Sequence, residues 1–248
     1  MSSEAMSASP SQLEVGVLAE DLATASLGMA RRFRDGATLW CVSPSWPHHA
    51  RHVAVEFVHP VIVGKPALPS LIGPSEDPVA GLRVSVDPGD LVLAIGDVDD
   101  PQVIDLMRRA HAWGVETLWI GAGARRPPAG AADHVLWLEE QQSEASHDGR
   151  FILVYHLLWE LTHVCLEHRG RLQAPEPVCE GEVCITCSDE GILAEVVEVE
   201  GLEARVRTAE GPRTVDVTLV ADVAADDLLL IHAGSAIARV DEPRQARV

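Results

Sequence analysis

Read along its apolar positions, the chain changes character once. Its first part alternates long stretches at helical spacing with short apolar runs, and from Ile192 onward only short runs with alternating stretches remain. In residues 13–33, Leu18, Leu22, Ala25, Leu27, Met29 and Phe33 follow a helical spacing, and Asp35-Gly36 supplies the stop. ATLWCV (37–42) reads as a short buried strand, SPSWPHH (43–49) as the turn after it, and 50–58 as a return to helix. Residues 91–95, 115–120 and 131–138 read as further strands, and 101–113 and 148–167 as helices. Strands alternating with helices imply βαβ units, hence a parallel sheet whose ligands gather at the carboxyl ends of the strands.

The second part reads differently. ILAEVVEVEG, LEARVRTAEG, RTVDVTLVAD and DLLLIHAG are short strands, with Ala204, Val206 and Thr208 set against Glu203, Arg205 and Arg207, and with breaks at Gly201 and Gly211-Pro212. Strands at this spacing make a small all-β barrel. The expected organisation is a disordered N-terminus (1–12), an α/β parallel-sheet domain (13–169), a proline-containing linker (170–178) and a barrel domain (179–248).

Charge narrows the function classes. The formal charge is −19, and Lys65 is the single lysine among 19 basic residues. Long-range repulsion then argues against nucleic acid and anionic membranes as partners. No run approaches the roughly 18 apolar residues of a spanning helix, and MSSEAMSASPSQ lacks the basic start and apolar stretch of a signal peptide, so a cytoplasmic protein is expected. Five cysteines, an odd number, point to free or metal-bound thiols rather than a disulfide framework.

Three of those cysteines fall in nine positions at the junction, VCEGEVCITCSDEG. Cys179, Cys184 and Cys187 sit among Glu180, Glu182, Asp189 and Glu190, a polar setting unlike that of a packed core thiol. They suit a chemical role, and a zinc knot would need a fourth ligand from His168 or His232. His232 itself ends an apolar run and precedes Ala233-Gly234, which leaves its ring accessible. In the first part, His48, His52 and Glu56 recur every four positions, and His156, Glu160 and His163 share a helix face. The two faces could converge on a zinc or acid/base site, although a histidine on a half-buried helix is often simply hydrogen-bonded.

The order of helix, strand, loop and helix, with ARHVAVEFVH, KPALPSLIG and the terminal FILVYHLLWELTHVCLE, resembles the SIS (sugar isomerase) domains over about residues 11–168, most closely the sedoheptulose-7-phosphate isomerases. That resemblance implies His52, Glu56 and His156 as the catalytic and metal-binding set, with Asp148 where the family has a glutamine ligand. It also implies phosphate-binding loops rich in glycine, serine and threonine, whereas SPSWPHH and GDVDDPQ stand here, the latter with Asp97, Asp99 and Asp100.

EVVEVEG followed by ADDLLLIHAGSAI, with cysteines upstream, resembles the HypC/HupF hydrogenase maturation chaperones from about Cys184 to Val240. In that family a cysteine thiolate handles the iron carrying cyanide and carbon monoxide that enters [NiFe] hydrogenase, and a nearby histidine is implicated. The resemblance therefore implies Cys184 or Cys187, with His232, as iron-handling residues, and a hydrogenase large-subunit precursor and a HypD-like iron scaffold as partners. The chain is then expected to be a fused accessory protein that carries or docks iron and does not turn over a substrate, with the SIS-like half as a homo-oligomerisation scaffold. The alternative is a phosphosugar isomerase acting through Glu56 and His156.

Overall fold

The computed structural model describes residues 10–60, 62, 64–139, 147–168 and 191–240. The first domain comprises α1 (Pro10–Arg34), β1 (Leu39–Val42), α2 (Pro47–Val58), β2 (Ser70–Ile72), α3 (Pro78–Arg83), β3 (Leu91–Ile95), α4 (Pro101–Ala110), β4 (Glu116–Gly123), β5 (His134–Glu139) and α5 (His147–Glu167). A 3-10 turn, His111–Trp113, follows α4. The five strands are parallel in the order β2-β1-β3-β4-β5. Direction of winding reverses between β1 and β3, which makes the crevice at their carboxyl ends the general ligand position of such a sheet.

Alternation of side chains across the sheet sets up its two cores. Leu39, Cys41, Leu91, Leu93, Ile95, Leu118, Ile120, Leu136 and Leu138 meet α1, α2 and α5 on one face. Val42, Val92, Ala94 and Trp119 meet Leu82 of α3 and Val103, Leu106 and Met107 of α4 on the other.

The helix starts have local causes. Asp77 caps α3 by accepting from Ala80 N, and Asp100 caps α4 by accepting from Gln102 N and Val103 N, each with proline in the first turn. Helix α1 begins at Pro10, so residues 10–12 are helical where the sequence pattern suggested a disordered start. The linker at 170–178 lies outside the described residues.

The second domain is a closed five-stranded barrel, β6 (Ile192–Glu200), β7 (Glu203–Thr208), β8 (Gly211–Asp216), β9 (Leu228–His232) and β10 (Ser235–Arg239), in the order β10-β8-β7-β6-β9. Ala194, Val196, Ala204, Val206, Val215, Leu229, Ile231 and Ala236 fill it. It is seated on the first domain. Leu228 joins the α3/α4 core, and Arg207 donates to the Arg83 carbonyl. Gly114 has φ 74°, and a Cβ there would stand 2.9 Å from the Ala209 carbonyl oxygen, so glycine permits the contact as well as the turn.

Candidate functional site

Among the described residues, three places gather chemistry. The first is the barrel end that carries His232. Strand β9 turns into β10 through Ala233 (φ 47°) and Gly234 (φ 85°), two consecutive positive-φ residues that form the tight hairpin pairing His232 with Ser235. His232 thereby lines a cleft of about 470 Å³ together with Ile192, Arg213, Thr214, Val215 and Ile231. Ile192 is also where the chain enters the barrel, in register with Ile231. Cys187 precedes Ile192 by five residues and Cys184 by eight. Cys179, Cys184 and Cys187 themselves lie outside the described residues. Among the described cysteines, Cys41 is fully buried beside Ser70, and burial, slightly offset by that contact, pushes its thiol up to about 12. It is unsuited to thiolate chemistry.

The second place lies between α2 and α5. His156 Nε2 stands 3.1 Å from Glu56 Oε1 and 3.4 Å from His52 Nε2, and the three ligand atoms fall within 4.8 Å of one another. Tetrahedral bonds of about 2.0–2.1 Å put neighbouring donor atoms roughly 3.3 Å apart, so the two separations from His156 suit a zinc-type ion. Tyr155, fully buried, bonds through its hydroxyl to His52 Nδ1 at 2.8 Å, which directs Nε2 to the shared space. The remaining members of the two predicted faces do not join. His48 is exposed and packs on His49 with ring centroids 4.3 Å apart, and Glu160 is exposed. His163 is buried, held by the carbonyls of Trp159 at 2.9 Å and Pro66 at 3.0 Å. His168 meets the Val164 carbonyl at 2.9 Å. The Asp148 side chain lies outside the described residues.

The third is the crevice at the carboxyl ends of β1 and β3, and the chain fills it with its own carboxylate. Asp100 Oδ1 takes the amide hydrogens of Gln102 and Val103 at 3.0 and 3.3 Å, while Oδ2 accepts the Ser45 hydroxyl at 2.8 Å. Ser43 donates to the Ile95 carbonyl at 2.8 Å across the same gap. Helix-end amides and loop hydroxyls are the donors an incoming phosphate would use, and Asp100 already occupies them. Asp97 and Asp99 are exposed nearby and add negative charge.

Pattern reading missed Asp100 as a buried cap and missed Glu195 altogether. Glu195 is 2 % exposed in β6 and takes hydrogen bonds from Arg83 (2.9 Å), Arg109 (3.0 Å) and Trp113 (2.9 Å) of the first domain. Its signal is present in the sequence: Ile192, Leu193, Ala194 and Val196 are apolar on both parities, which marks a stretch covered on two sides with one carboxylate inside.

Comparison with known proteins agrees with this division. Residues 191–248 match the HupF/HypC family. The first domain has the fold of a phosphoheptose isomerase from Francisella tularensis, at TM-score 0.50 and 16 % identity, covering 62 % of this chain and 91 % of that one. A phosphoheptose isomerase from Neisseria gonorrhoeae is similar at TM-score 0.49 and 15 % identity, with coverage of 62 % and 91 %. No curated protein matches the chain. The chain thus joins a domain with the fold of a phosphoheptose isomerase to a barrel that matches the HupF/HypC family. Among the described residues no helix is long and apolar enough to cross a membrane.

Proposed function

We propose that this chain is a cytoplasmic accessory protein of [NiFe]-hydrogenase maturation. Its barrel carries the cyanide- and carbonyl-bearing iron as cargo between a HypD-like scaffold and the hydrogenase large-subunit precursor, and its SIS-fold domain is a homo-oligomerising base. The observation that carries the reading is the match of residues 191–248 to the HupF/HypC family, whose barrel here sets His232 in a cleft at the point where the thiol-bearing segment joins. A thiolate from Cys184 or Cys187 is a suitable donor to soft iron with π-acceptor ligands, and the imidazole completes or orients the site. Cys179 is a further candidate thiol ligand for the same cargo. The protein purified from hydrogenase-producing cells should show cyanide and carbonyl stretches in the infrared. Their absence, in cells whose hydrogenase is matured, counts against the reading.

We further propose that His52, Glu56 and His156 hold a divalent ion such as zinc. That triad also supports a second reading, a phosphosugar isomerase acting through Glu56 and His156. Against it stands Asp100, whose carboxylate takes the donors a sugar phosphate needs. The expected result is no turnover of sedoheptulose 7-phosphate, and turnover abolished by Glu56→Gln would establish the isomerase instead.

A further inference from the structure

We propose that the Leu202/Leu219 tip of the barrel is a docking surface for a protein client whose matching face is apolar and rimmed by lysine or arginine. Leu202 is 66 % exposed and Leu219 74 %. They belong to different turns that are tied together, since Val217 N donates to the Leu202 carbonyl at 2.9 Å. A lone exposed leucine needs no explanation, whereas two on one tip with a charged surround form a candidate patch.

Charge selects the occupant. Glu200, Glu203, Asp216 and Asp222 are exposed around these turns. Arg205 and Arg213, on the neighbouring strands, are paired with Glu198 and Glu210. A second copy of this chain would bring the same carboxylates against themselves, and an anionic lipid surface would be repelled. A basic, apolar-lined protein face is complementary.

The position beside the His232 cleft gives the patch a purpose. Asp216 N donates to the Gly234 carbonyl at 3.0 Å and the next residue, Val217, donates to Leu202. Consecutive residues thus join the turn after His232 to the turn that carries Leu202. A client seated on the tip has its edge at the cleft. This inference rests on the maturation reading and assigns the tip to the hydrogenase large-subunit precursor.

The test is binding of purified large-subunit precursor to the full chain. Leu202→Ser/Leu219→Ser should weaken it at least roughly tenfold, the scale of interface anchors, with an unchanged melting temperature because both side chains point outward. Glu200→Lys/Glu203→Lys, which keeps the leucines, should also weaken it at low salt. If the wild-type chain binds and the leucine variant binds equally, the tip assignment is overturned while the maturation reading stands. If the wild-type chain does not bind the precursor, both fall. If the leucine variant loses self-association and keeps precursor binding, the tip belongs to a second copy and the proposal is wrong.

Discussion

The guanidinium of Arg109, in α4, lies 3.0 Å from the carboxylate of Glu195, in β6, and so spans the junction between the two domains. Burial works against the charge of Arg109, yet Asp105 and Glu195 outweigh it and hold the guanidinium above its ordinary value. Arg83 adds a second bridge to Glu195 and a third to Asp226 at 2.8 Å. A buried carboxylate served by two arginines and an indole is costly to leave unpaired, and it is equally costly to strip the arginines of it.

Glu195→Ala should therefore destabilise the folded chain by about 3–5 kcal/mol and split thermal unfolding into two transitions, one for each domain. Glu195→Gln, which keeps a carbonyl for Trp113 and the arginines, should retain more of the coupling. Calorimetry of the three proteins checks this. A single transition in Glu195→Ala at the wild-type temperature would show that the seat is immaterial.

The α2/α5 triad should bind zinc. His156→Ala should abolish tight binding, because it removes the group nearest to both other ligands. Tyr155→Phe should keep the site but weaken it about tenfold, the usual loss when the partner that orients a ligating imidazole is removed. Isothermal titration of the apo protein measures both, and equal affinities in wild type and His156→Ala would remove the triad from consideration.

Acid should loosen α1 from the sheet. Glu116 accepts from Arg32 at 2.7 Å and meets His134 at 2.9 Å, with Gly28 of α1 packed so closely that a Cβ there would collide with the carboxylate. Burial raises the Glu116 carboxyl, but the contacts with His134 and Arg32 outweigh it and leave it below its ordinary 4.5. A depressed carboxylate contributes stability that is complete above the unfolded value and is lost as pH falls through the folded one. Stability measured between neutral pH and pH values below 4.5 should fall less steeply in Glu116→Gln than in wild type.

Much of this architecture was legible in the residues. Helical spacing and buried runs gave the alternation that folds into the parallel sheet, and the spacing of four between His52 and Glu56 placed them on one helix face. That His156 meets them, while His163 is spent on two carbonyls, is a matter of how α5 lies on α2, which no local pattern encodes. Strand β2 has three residues and one parallel partner, too little for an alternating signal. Helix α3 is six residues with Gly81 inside, which hides its period, although Asp77-Pro78 marked its start. Asp100 read as loop charge because a cap and a repelling surface carboxylate are the same letter. Only its partners Ser45, Gln102 and Val103 tell them apart.

The iron-handling role proposed for Cys184 and Cys187, which precede the barrel in the chain, has a direct test. Cys184→Ser/Cys187→Ser, placed in a strain with no other HypC-like protein, measures it through hydrogenase activity and processing of the large subunit. Serine offers a hard, poorly ionised oxygen in place of a thiolate. The expected result is a folded variant, lost activity and an accumulating unprocessed large subunit, with His232→Ala impaired less completely. Full hydrogenase activity in the double cysteine variant would contradict it.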